Sequence, residues 1–441
     1  MTSLESSDGQ LQVEIDPESP ILSVLTVTVG AKRVDKAFDR TYRSLAKEVR
    51  VKGFRPGKAP RSVLERMYGA GIPEEIERAL VAETLGDAIE LAEIQPIVEP
   101  GIDAERPAPG EPFVYKARLE LKPEIVLPET KGLPARRPRA TVGEDEVLTQ
   151  LEELRQRSAP IVEEPDGTAA DEGHFVTIDF VGKLDGEPFE GGSAKGHEIE
   201  LGSGQFVPGF EEQLVGAVAG EDRQLDIDFP EDYGNAELAG KAVVFDVHVE
   251  AVKKRQLREL DDEFAKDLGD FDSLEALRDR IRSDLQAQRD QAADTTLRRT
   301  VMDSLIERTE FEVPPGLVER QLQHQIASFR REYEQQVPAD VLESQLVRMA
   351  EDGRDAAARR VREAFLLEAV AVAQGLEATD EDVDARLEEM AEGRGMPPAQ
   401  LRKMAQEQGW NEAIRSELVD QKALDFLCEG ADVEEIDPSD D

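Results

Sequence analysis

A short basic stretch interrupts a strongly acidic chain. The 441 residues contain 96 Asp and Glu and 53 Lys and Arg, a net charge of -43, yet VKGFRPGKAPR (51–61) has four basic residues and no acidic one. Residues 31–61 together hold eleven Lys and Arg and three Asp and Glu, so their net charge is +8. Such cationic groups can contact phosphate oxygens. On sequence alone, however, a loop of Gly, Pro and Lys is more often a solvated turn.

The rest of the composition limits the classes of function. The overall negative charge argues against general binding to nucleic acid or to anionic membranes, because phosphate groups would repel most of the surface. The length predicts roughly two to four domains, and 39% hydrophobic, 5% aromatic and 34% charged residues predict thin, helix-rich domains. Cys428 is the single cysteine, which excludes an intramolecular disulfide. With neither a secretion signal nor an apolar run long enough to span a bilayer, we expect a cytoplasmic protein without a membrane partner.

Signatures of metal, nucleotide and hydrolase chemistry are absent from the sequence. Segment 202–209 carries Val207 where a dinucleotide-binding loop needs its third glycine, and segment 234–242 ends in Ala242 where a phosphate-binding loop needs Ser or Thr. No Gly-x-Ser-x-Gly stretch marks a nucleophilic serine. The histidines are scattered without metal-ligand spacing, so we expect no metal and no cofactor. These histidines are His174, His197, His248 and His324.

Aromatic residues are concentrated in a β-rich segment. Between about residue 170 and residue 252, short alternating strands and many glycines predict a small β-domain. Val176, Ile178 and Phe180, for example, alternate and therefore share one strand face. An apolar cavity lined by Phe and Tyr is one interpretation of these residues. The packed core of a small barrel is the other, and spacing alone favours the core.

The basic loop lies within an α+β pattern that covers residues 1–122. Before the loop, Val34, Phe38, Tyr42, Leu45 and Val49 recur at helical spacing. Alternation with β-branched residues precedes this helix, and further helices and an alternating strand follow the loop. The predicted elements are one or two strands within 11–29, helices at 31–50, 61–68 and 73–92, and a strand at 112–121.

A proline-rich linker and a long helical region complete the pattern. Residues 122–140 hold too many prolines to continue regular structure, and a helix is predicted at about 143–158. From about 256 to 430 the chain predicts helices, separated at Pro314-Pro315, Pro338 and Pro397-Pro398. The final ADVEEIDPSDD predicts a disordered acidic tail. One apolar stripe in the helical region fits a core better than a surface for other chains; it consists of Val318, Leu322, Ile326, Phe329 and Tyr333.

The stretch LGSGQFVPGFEEQLVGAVAGE (201–221) resembles the core of the FKBP-type peptidyl-prolyl isomerases. VTIDFVGKLDGEPFEGG before it, and FPEDYGN and AVVFDVHVE after it, match the same family in order over about 80 residues. The resemblance implies an FKBP-like antiparallel β-sheet or half-barrel with a short helix. It also implies that the catalytic residues, which line a proline pocket, are Phe180, Phe189, Glu190, Phe206, Val207, Phe210, Tyr233 and Phe245.

Three positions depart from the family pattern. Phe210 stands where many members have Trp, Glu190 where many have Asp, and His197 where some have an aromatic pocket residue. The departures bear on the affinity for family inhibitors more than on the reaction. Rotation about an X-Pro bond faces a barrier of about 18–20 kcal/mol, because resonance makes the C–N bond partly double. An apolar pocket favours the twisted amide, whose charge separation is smaller, and Tyr233 can donate a hydrogen bond to a substrate carbonyl.

The basic loop resembles the ribosome-binding signature of the bacterial trigger factor family. GFRPGKAP (53–60) matches the pattern Gly-Phe-Arg-x-Gly-x-x-Pro, and ELDDEFAKDLG (259–269) and VPPGLVERQ (313–321) extend the resemblance over nearly the whole chain. With a positive tip on an acidic body, the protein would orient so that the tip faces ribosomal RNA phosphates at the polypeptide exit. The resemblance also implies dimers off the ribosome. The implied ribosome-binding residues are Gly53, Phe54, Arg55, Gly57, Lys58 and Pro60.

Together these patterns predict an α+β multidomain protein with an elongated, all-helical C-terminal domain. The expected function is to bind nascent chains at the exit tunnel, prevent their aggregation and isomerise X-Pro bonds. The expected partners are the ribosome, nascent and unfolded polypeptides and, off the ribosome, a second copy of the chain. The alternative is a free cytosolic holdase whose FKBP-like domain only binds clients. The predicted domains are a ribosome-binding domain (1–122), a linker with a helix (123–168), an FKBP-type isomerase domain (169–253), a helical chaperone domain (254–430) and a disordered acidic tail (431–441).

Overall fold

The computed structural model describes residues 2–7, 9–52, 54–55, 57–69, 71–231, 233, 235 and 238–437, without the side chains of Thr2 and Glu190. The chain divides into two compact units. One unit comprises Met1–Pro138 and Asp294–Asp441, and the other comprises Arg139–Ala293. The first unit therefore combines an N-terminal α+β part with a C-terminal helical part, whereas the second contains the β-rich segment.

An antiparallel sheet and three helices form the N-terminal part of the first unit. In chain order its elements are β1 (Thr2–Glu5), β2 (Leu11–Ser19), β3 (Leu22–Val29), α1 (Ala31–Glu48), α2 (Arg61–Tyr68), α3 (Ile72–Ala92), β4 (Gly101–Ala104) and β5 (Phe113–Glu120), followed by β6 (Pro134–Pro138). The sheet order is β1-β2-β3-β5-β4, and every pairing in it is antiparallel. Alternate residues of β3 are buried, so one face of the sheet meets the core.

Helical spacing decides which residues meet this sheet. α1 buries Val34, Phe38 and Tyr42, which recur every four residues and therefore share one helix face. They share a core with Leu80 of α3 and Tyr115 of β5. The helices predicted at 31–50, 61–68 and 73–92 and the strand predicted at 112–121 are confirmed to within two residues. β1 and β4 were missed, because four residues are too few to give a periodic signal.

The second unit is built around a second antiparallel sheet. Its elements are α4 (Glu144–Ser158), β7 (Ile161–Glu163), β8 (Phe175–Leu184), β9 (Glu187–Glu200), α5 (Phe210–Leu214), β10 (Asp222–Asp228), β11 (Ala242–Arg255), α6 (Asp262–Leu268) and the first part of α7 (Leu274–Glu307). The sheet order is β10-β11-β8-β9, with β7 also paired to β11. Buried residues of β8, β10, β11 and α5 form one core. This arrangement confirms the predicted half-barrel with a short helix.

The helix predicted within the linker is packed into the second unit. α4 buries Val147 and Leu151 against Phe264 of α6 and against Leu277 and Ile281 of α7. Such burial of apolar surface stabilises the helix far more than its own propensity does. Residues 144–158 are therefore an integral part of this unit and not a free connection.

The C-terminal part of the first unit is helical up to its last strand. After α7 come α8 (Pro315–Tyr333), α9 (Ala339–Asp352), α10 (Arg354–Gln374), α11 (Asp380–Gly393), α12 (Pro398–Gln408), α13 (Trp410–Glu429) and β12 (Asp432–Ile436). α8 and α12 begin at prolines, because the missing N–H of proline is not needed in a first helical turn. Val318 and Leu322 of the apolar stripe are buried, as expected for a core. Across the described residues, no helix has both the length and the apolar content that a membrane span needs.

The prediction of a disordered tail is wrong for residues 432–436, which form β12. This strand pairs in parallel with β6, and the Asp432 N–H donates a 2.8 Å hydrogen bond to the Leu133 carbonyl oxygen. The expectation that 122–140 lacks regular structure is wrong for 134–138, the residues of β6. Acidic segments are disordered when they find no partner. Here β6 supplies backbone hydrogen bonds, and the Arg136 guanidinium lies 3.7 Å from the Glu434 carboxylate. Residues 438–441 lie outside the described part.

Candidate functional site

The predicted pocket residues of the second unit converge on Phe245 in β11. Between ring centroids, Phe245 lies 5.2 Å from Phe210, 5.9 Å from Phe180 and 6.1 Å from Phe189. The ring planes in these three contacts are 64–85° apart, an edge-to-face arrangement that the charge distribution of aromatic rings favours. Three strands and α5 each supply one of these rings, so the cluster exists only in the folded unit.

The segment before α5 adds a second layer to this cluster. The Phe206 ring is stacked on the Phe210 ring at a centroid distance of 5.3 Å and an interplanar angle of 23°. Val207 packs against the same core and is partly buried. Both residues are partly accessible, so the cluster has an apolar surface that another molecule can reach.

Tyr233 joins the cluster less directly than the phenylalanines. Its ring lies 4.7 Å from Phe229, whose ring lies 6.5 Å from Phe245. Tyr233 is 40% exposed, which leaves its side chain open to solvent at the edge of the cluster. Phe229 was not among the predicted pocket residues, although it ends an alternating strand face that the sequence does show. The side chain of Glu190, the remaining predicted residue, lies outside the described atoms.

Two glycines leave room for the Phe189 ring. A Cβ atom on Gly192 would lie 2.5 Å from the Cζ atom of Phe189, and one on Gly182 would lie 2.6 Å from ring carbons of both Phe189 and Phe245. In a close-packed interior such an overlap forces the rings to move. The sequence offers one signal for this role, since a glycine inside a strand often marks a close approach of another group.

A buried carboxylate anchors the segment that carries Phe206. Glu211, in α5, is 5% exposed and accepts hydrogen bonds from the Ser203 hydroxyl at 3.1 Å, the Gly204 N–H at 3.0 Å and the Phe206 N–H at 3.1 Å. Burial alone would raise the pKa of the Glu211 carboxyl, but these hydrogen bonds outweigh it and hold the pKa below its usual value. Glu211 thus orients Phe206. Sequence reasoning missed it because a Glu in a first helical turn is ordinarily a solvated residue.

His197 lies at the edge of the aromatic cluster. Its ring centroid is 6.1 Å from Phe180 and 5.6 Å from Phe206, with interplanar angles of 80° and 70°. Across the strands it pairs with Ile178, which is fully buried, so His197 points to the inner face of the sheet. It is nevertheless exposed. The imidazole therefore combines ring contacts to the cluster with access to solvent.

The predicted ribosome-binding loop of the first unit is held firmly at its base. Val51 is buried in the N-terminal core. The Gly57 N–H donates a 2.7 Å hydrogen bond to the Ala46 carbonyl oxygen, and its φ of +80° is a conformation that glycine adopts without strain. Pro60 precedes the first residue of α2. Gly53 lies outside the described residues.

The tip of the loop is exposed. Phe54 is 42% exposed, and the side chains of Lys52, Arg55 and Lys58 are exposed as well. A large apolar side chain in water gains free energy when another surface covers it. The loop therefore presents one apolar group between cationic groups.

Ion pairs neutralise only part of the positive charge counted over residues 31–61. The paired arginines are Arg33 with Glu83 and Asp87, Arg40 with Glu83, and Arg61 with Asp39 and Glu65. The eight other basic side chains make no ion pair with a described residue; they are Lys32, Lys36, Arg43, Lys47, Arg50, Lys52, Arg55 and Lys58. The free charge is thus smaller than the sequence count suggests, and it includes the loop tip.

A groove in the helical part of the first unit contains a carboxyl with an unusual pKa. The groove has a volume of about 780 Å³ and lies between α8, α10 and α13, with Phe365 and Val419 in its wall. Burial and the nearby charge of Glu368 raise the pKa of Asp420 to about 6. Among the residues the structure describes, no group of three or more His, Cys, Asp or Glu side chains could hold a metal ion.

Comparison with known proteins identifies the families that the chain resembles. Residues 11–154 match the family described as bacterial trigger factor protein, residues 273–429 match its C-terminus, and residues 167–250 match the FKBP-type peptidyl-prolyl cis-trans isomerases. The trigger factor of Halothermothrix orenii is 37% identical over 434 residues, 97% of each chain. That of Bacillus subtilis is 36% identical over 413 residues, covering 92% of this chain and 96% of that one.

A solved structure of the trigger factor chaperone shares the fold. It aligns with a TM-score of 0.50 and 22% identity, over 94% of this chain and 99% of that one. The sequence relatives cover nearly the whole length, and the family matches cover more than half of the chain. The chain therefore belongs to the bacterial trigger factor family and contains an FKBP-type domain.

Proposed function

We propose that the chain is a ribosome-associated chaperone of the cytoplasm that shields newly made polypeptides and isomerises their X-Pro bonds. The observation that carries the proposal is the exposed loop tip on a chain of net charge -43: Phe54 is exposed there, and Arg55 and Lys58 make no ion pair with a described residue. Family membership supports the same function. In this proposal the ribosome-binding domain spans 1–122 and the isomerase domain spans 169–253.

Docking at the ribosome follows from the chemistry of the loop. Arg55 and Lys58 neutralise phosphates of ribosomal RNA and release counterions, so binding weakens as the salt concentration rises. Phe54 is covered by an apolar surface of the exit-tunnel rim. The rigid base of the loop keeps these three groups in place and reduces the conformational entropy lost on binding. The acidic remainder of the chain is repelled by RNA, which favours contact through this tip alone.

Isomerisation uses the aromatic cluster of the second unit. A proline ring packs against Phe245, Phe210 and Phe206, and the amide before it enters a site with few polar groups. There the planar amide loses hydration that stabilises its charge separation, whereas the twisted amide loses less. Tyr233, at the open edge, donates a hydrogen bond to a substrate carbonyl. Such a pocket reduces a barrier of about 18–20 kcal/mol without a covalent intermediate or a metal.

The helical region 254–430 holds client chains in this proposal. Its surface includes exposed apolar side chains such as Val372, 77% exposed, and Val347, 54% exposed. Isolated groups of this kind contact an unfolded chain weakly and reversibly, which suits transient shielding. Off the ribosome, a second copy of the chain is a further expected partner.

Ribosome cosedimentation tests the docking step. The wild-type chain is compared with the triple variant Phe54→Ala, Arg55→Ala, Lys58→Ala over a salt series. A control variant, Arg348→Ala with Arg354→Ala, removes two exposed arginines that make no ion pair with a described residue and lie in the helical part. We expect the wild type and the control to pellet with ribosomes, less so at high salt, and the triple variant to stay in the supernatant. Equal pelleting of all three chains would refute docking through the loop.

The alternative function is a free holdase whose FKBP-type domain only binds clients. The variants Phe210→Ala and Tyr233→Phe separate the two functions when isomerase activity and client aggregation are both measured. Loss of isomerase activity with retained suppression of aggregation supports an enzyme. A wild-type chain that fails to isomerise any proline peptide, yet suppresses aggregation, supports the holdase.

A further inference from the structure

His197 is an imidazole placed where the aromatic cluster meets solvent. Its cross-strand partner Ile178 and its neighbour Ile199 point into the core. The pairing of β8 with β9 shifts between Ile178 and Phe180, so an extra residue of β9 is accommodated there. Such a bulge redirects the following side chain. It brings the imidazole against the Phe180 and Phe206 rings and leaves it exposed.

The hydrogen-bonding capacity of this imidazole is unused within the described part of the chain. Two charged side chains of the same strands, Asp179 in β8 and Glu198 in β9, are engaged with other groups. Asp179 accepts a 2.7 Å hydrogen bond from the Gly196 N–H, and Glu198 pairs with Lys253 at 2.7 Å. An imidazole that makes no hydrogen bond to a described residue keeps at least one N–H donor for a ligand.

We propose that His197 selects substrates that carry an acidic residue next to the proline. The proposal rests on the proposed isomerase function and names a substrate preference for the same site. A proline seated against Phe180 and Phe206 places its flanking residue at the edge of the cluster, beside the imidazole. The imidazole N–H donates to a carboxylate of that residue, and a hydrogen bond to a charged acceptor is stronger than one to a neutral acceptor. An aromatic hydrocarbon ring at this position supplies no such donor.

An isomerase assay without a coupling protease tests the preference on the full chain. The substrates are the tetrapeptides Ala-Leu-Pro-Phe, Ala-Gln-Pro-Phe, Ala-Glu-Pro-Phe and Ala-Leu-Pro-Glu. The variants are His197→Phe, which keeps an aromatic ring, and His197→Gln, which keeps a hydrogen-bond donor. We expect the ratio of kcat/KM for a Glu peptide to that for Ala-Leu-Pro-Phe to fall about tenfold in His197→Phe, and less in His197→Gln. The ratio does not depend on a general loss of activity.

A second readout is the NMR signal of the His197 ring during peptide titration. We expect it to shift with a Glu peptide and to shift less with the Leu peptide. An unchanged activity ratio in His197→Phe, with an active wild type, overturns the inference and leaves the isomerase proposal intact. If His197→Phe is inactive, the ratio in His197→Gln decides: a fall in the ratio supports the inference, and an unchanged ratio overturns it. If the wild type isomerises none of the peptides, the isomerase proposal fails. In that case, equal shifts of the His197 ring signal with the Glu and Leu peptides overturn the inference as well.

Discussion

Replacing Asp420 with Asn tests the electrostatics of the helical groove. The folded-state pKa of about 6 lies above the usual 3.8, so the folded chain holds this proton more tightly than the unfolded chain does. The ionised carboxylate therefore reduces stability at pH values above 6. This penalty decreases as the pH falls through 6 and disappears below about 3.8. Asparagine has the same shape without the charge, so the substitution should stabilise the helical part at high pH.

The size of the effect follows from the two pKa values. A difference of about 2 pKa units corresponds to about 3 kcal/mol. Asp420 is only partly buried, so solvent screening reduces this figure to about 1–2 kcal/mol. By the same linkage relation, about half of the penalty remains at pH 5. For a unit of this size, we expect the melting temperature at pH 8 to rise by about 2–5 °C.

Scanning calorimetry of the full chain at pH 8 and pH 5 measures the effect. The control is Asp382→Asn, because hydrogen bonds from Lys422 and Thr379 lower the Asp382 pKa to about 2. That carboxylate stabilises the fold at every pH above 3.8, so its removal should lower the melting temperature equally at pH 8 and pH 5. The assigned electrostatics would be refuted if Asp420→Asn raised the melting temperature as much at pH 5 as at pH 8, or did not raise it at either pH.

Two further predictions concern the aromatic cluster. Glu211→Gln turns an amide donor toward backbone N–H groups, so we expect the unfolding free energy of the second unit to fall by about 1–3 kcal/mol. We also expect a lower kcat/KM for proline peptides. Normal activity would show that Glu211 does not position Phe206. Gly192→Ala forces the Phe189 ring to move, so isomerase activity should fall several-fold. The matched control is Gly86→Ala in α3, where the space around the new Cβ atom is open. This control should leave activity unchanged and stabilise its helix by about 1 kcal/mol. Equal activity of the two alanine variants would contradict this prediction.

Short-range sequence patterns predicted the structural elements that short-range interactions determine. The recurrence of Val34, Phe38 and Tyr42 was sufficient for α1, since a helix face needs only spacing. The prolines that begin α8 and α12 marked helix starts, because proline acts within its own turn. The predicted pocket residues were identified by resemblance instead, and the structure brings most of their rings together.

Features that depend on distant partners were not predictable from spacing. Arg33 forms ion pairs with Glu83 and Asp87, which lie 50 and 54 positions later in the chain, and no local sequence pattern identifies such pairs. In the sequence, Glu211 does not differ from a solvated Glu. Its role depends on the loop at 203–206, whose N–H groups donate hydrogen bonds to its carboxylate. β12 reads as a disordered tail because its partner strand lies far earlier in the chain.

The pairing of β12 with β6 has a consequence for the biosynthesis of the protein itself. β6 is translated roughly 300 residues before β12, so at about 5–20 residues per second it waits about 15–60 seconds for its partner. The second unit, which is contiguous in sequence, can fold during that interval. The first unit closes last, around segments made at opposite ends of synthesis. The chain therefore carries an unpaired strand for most of its own translation.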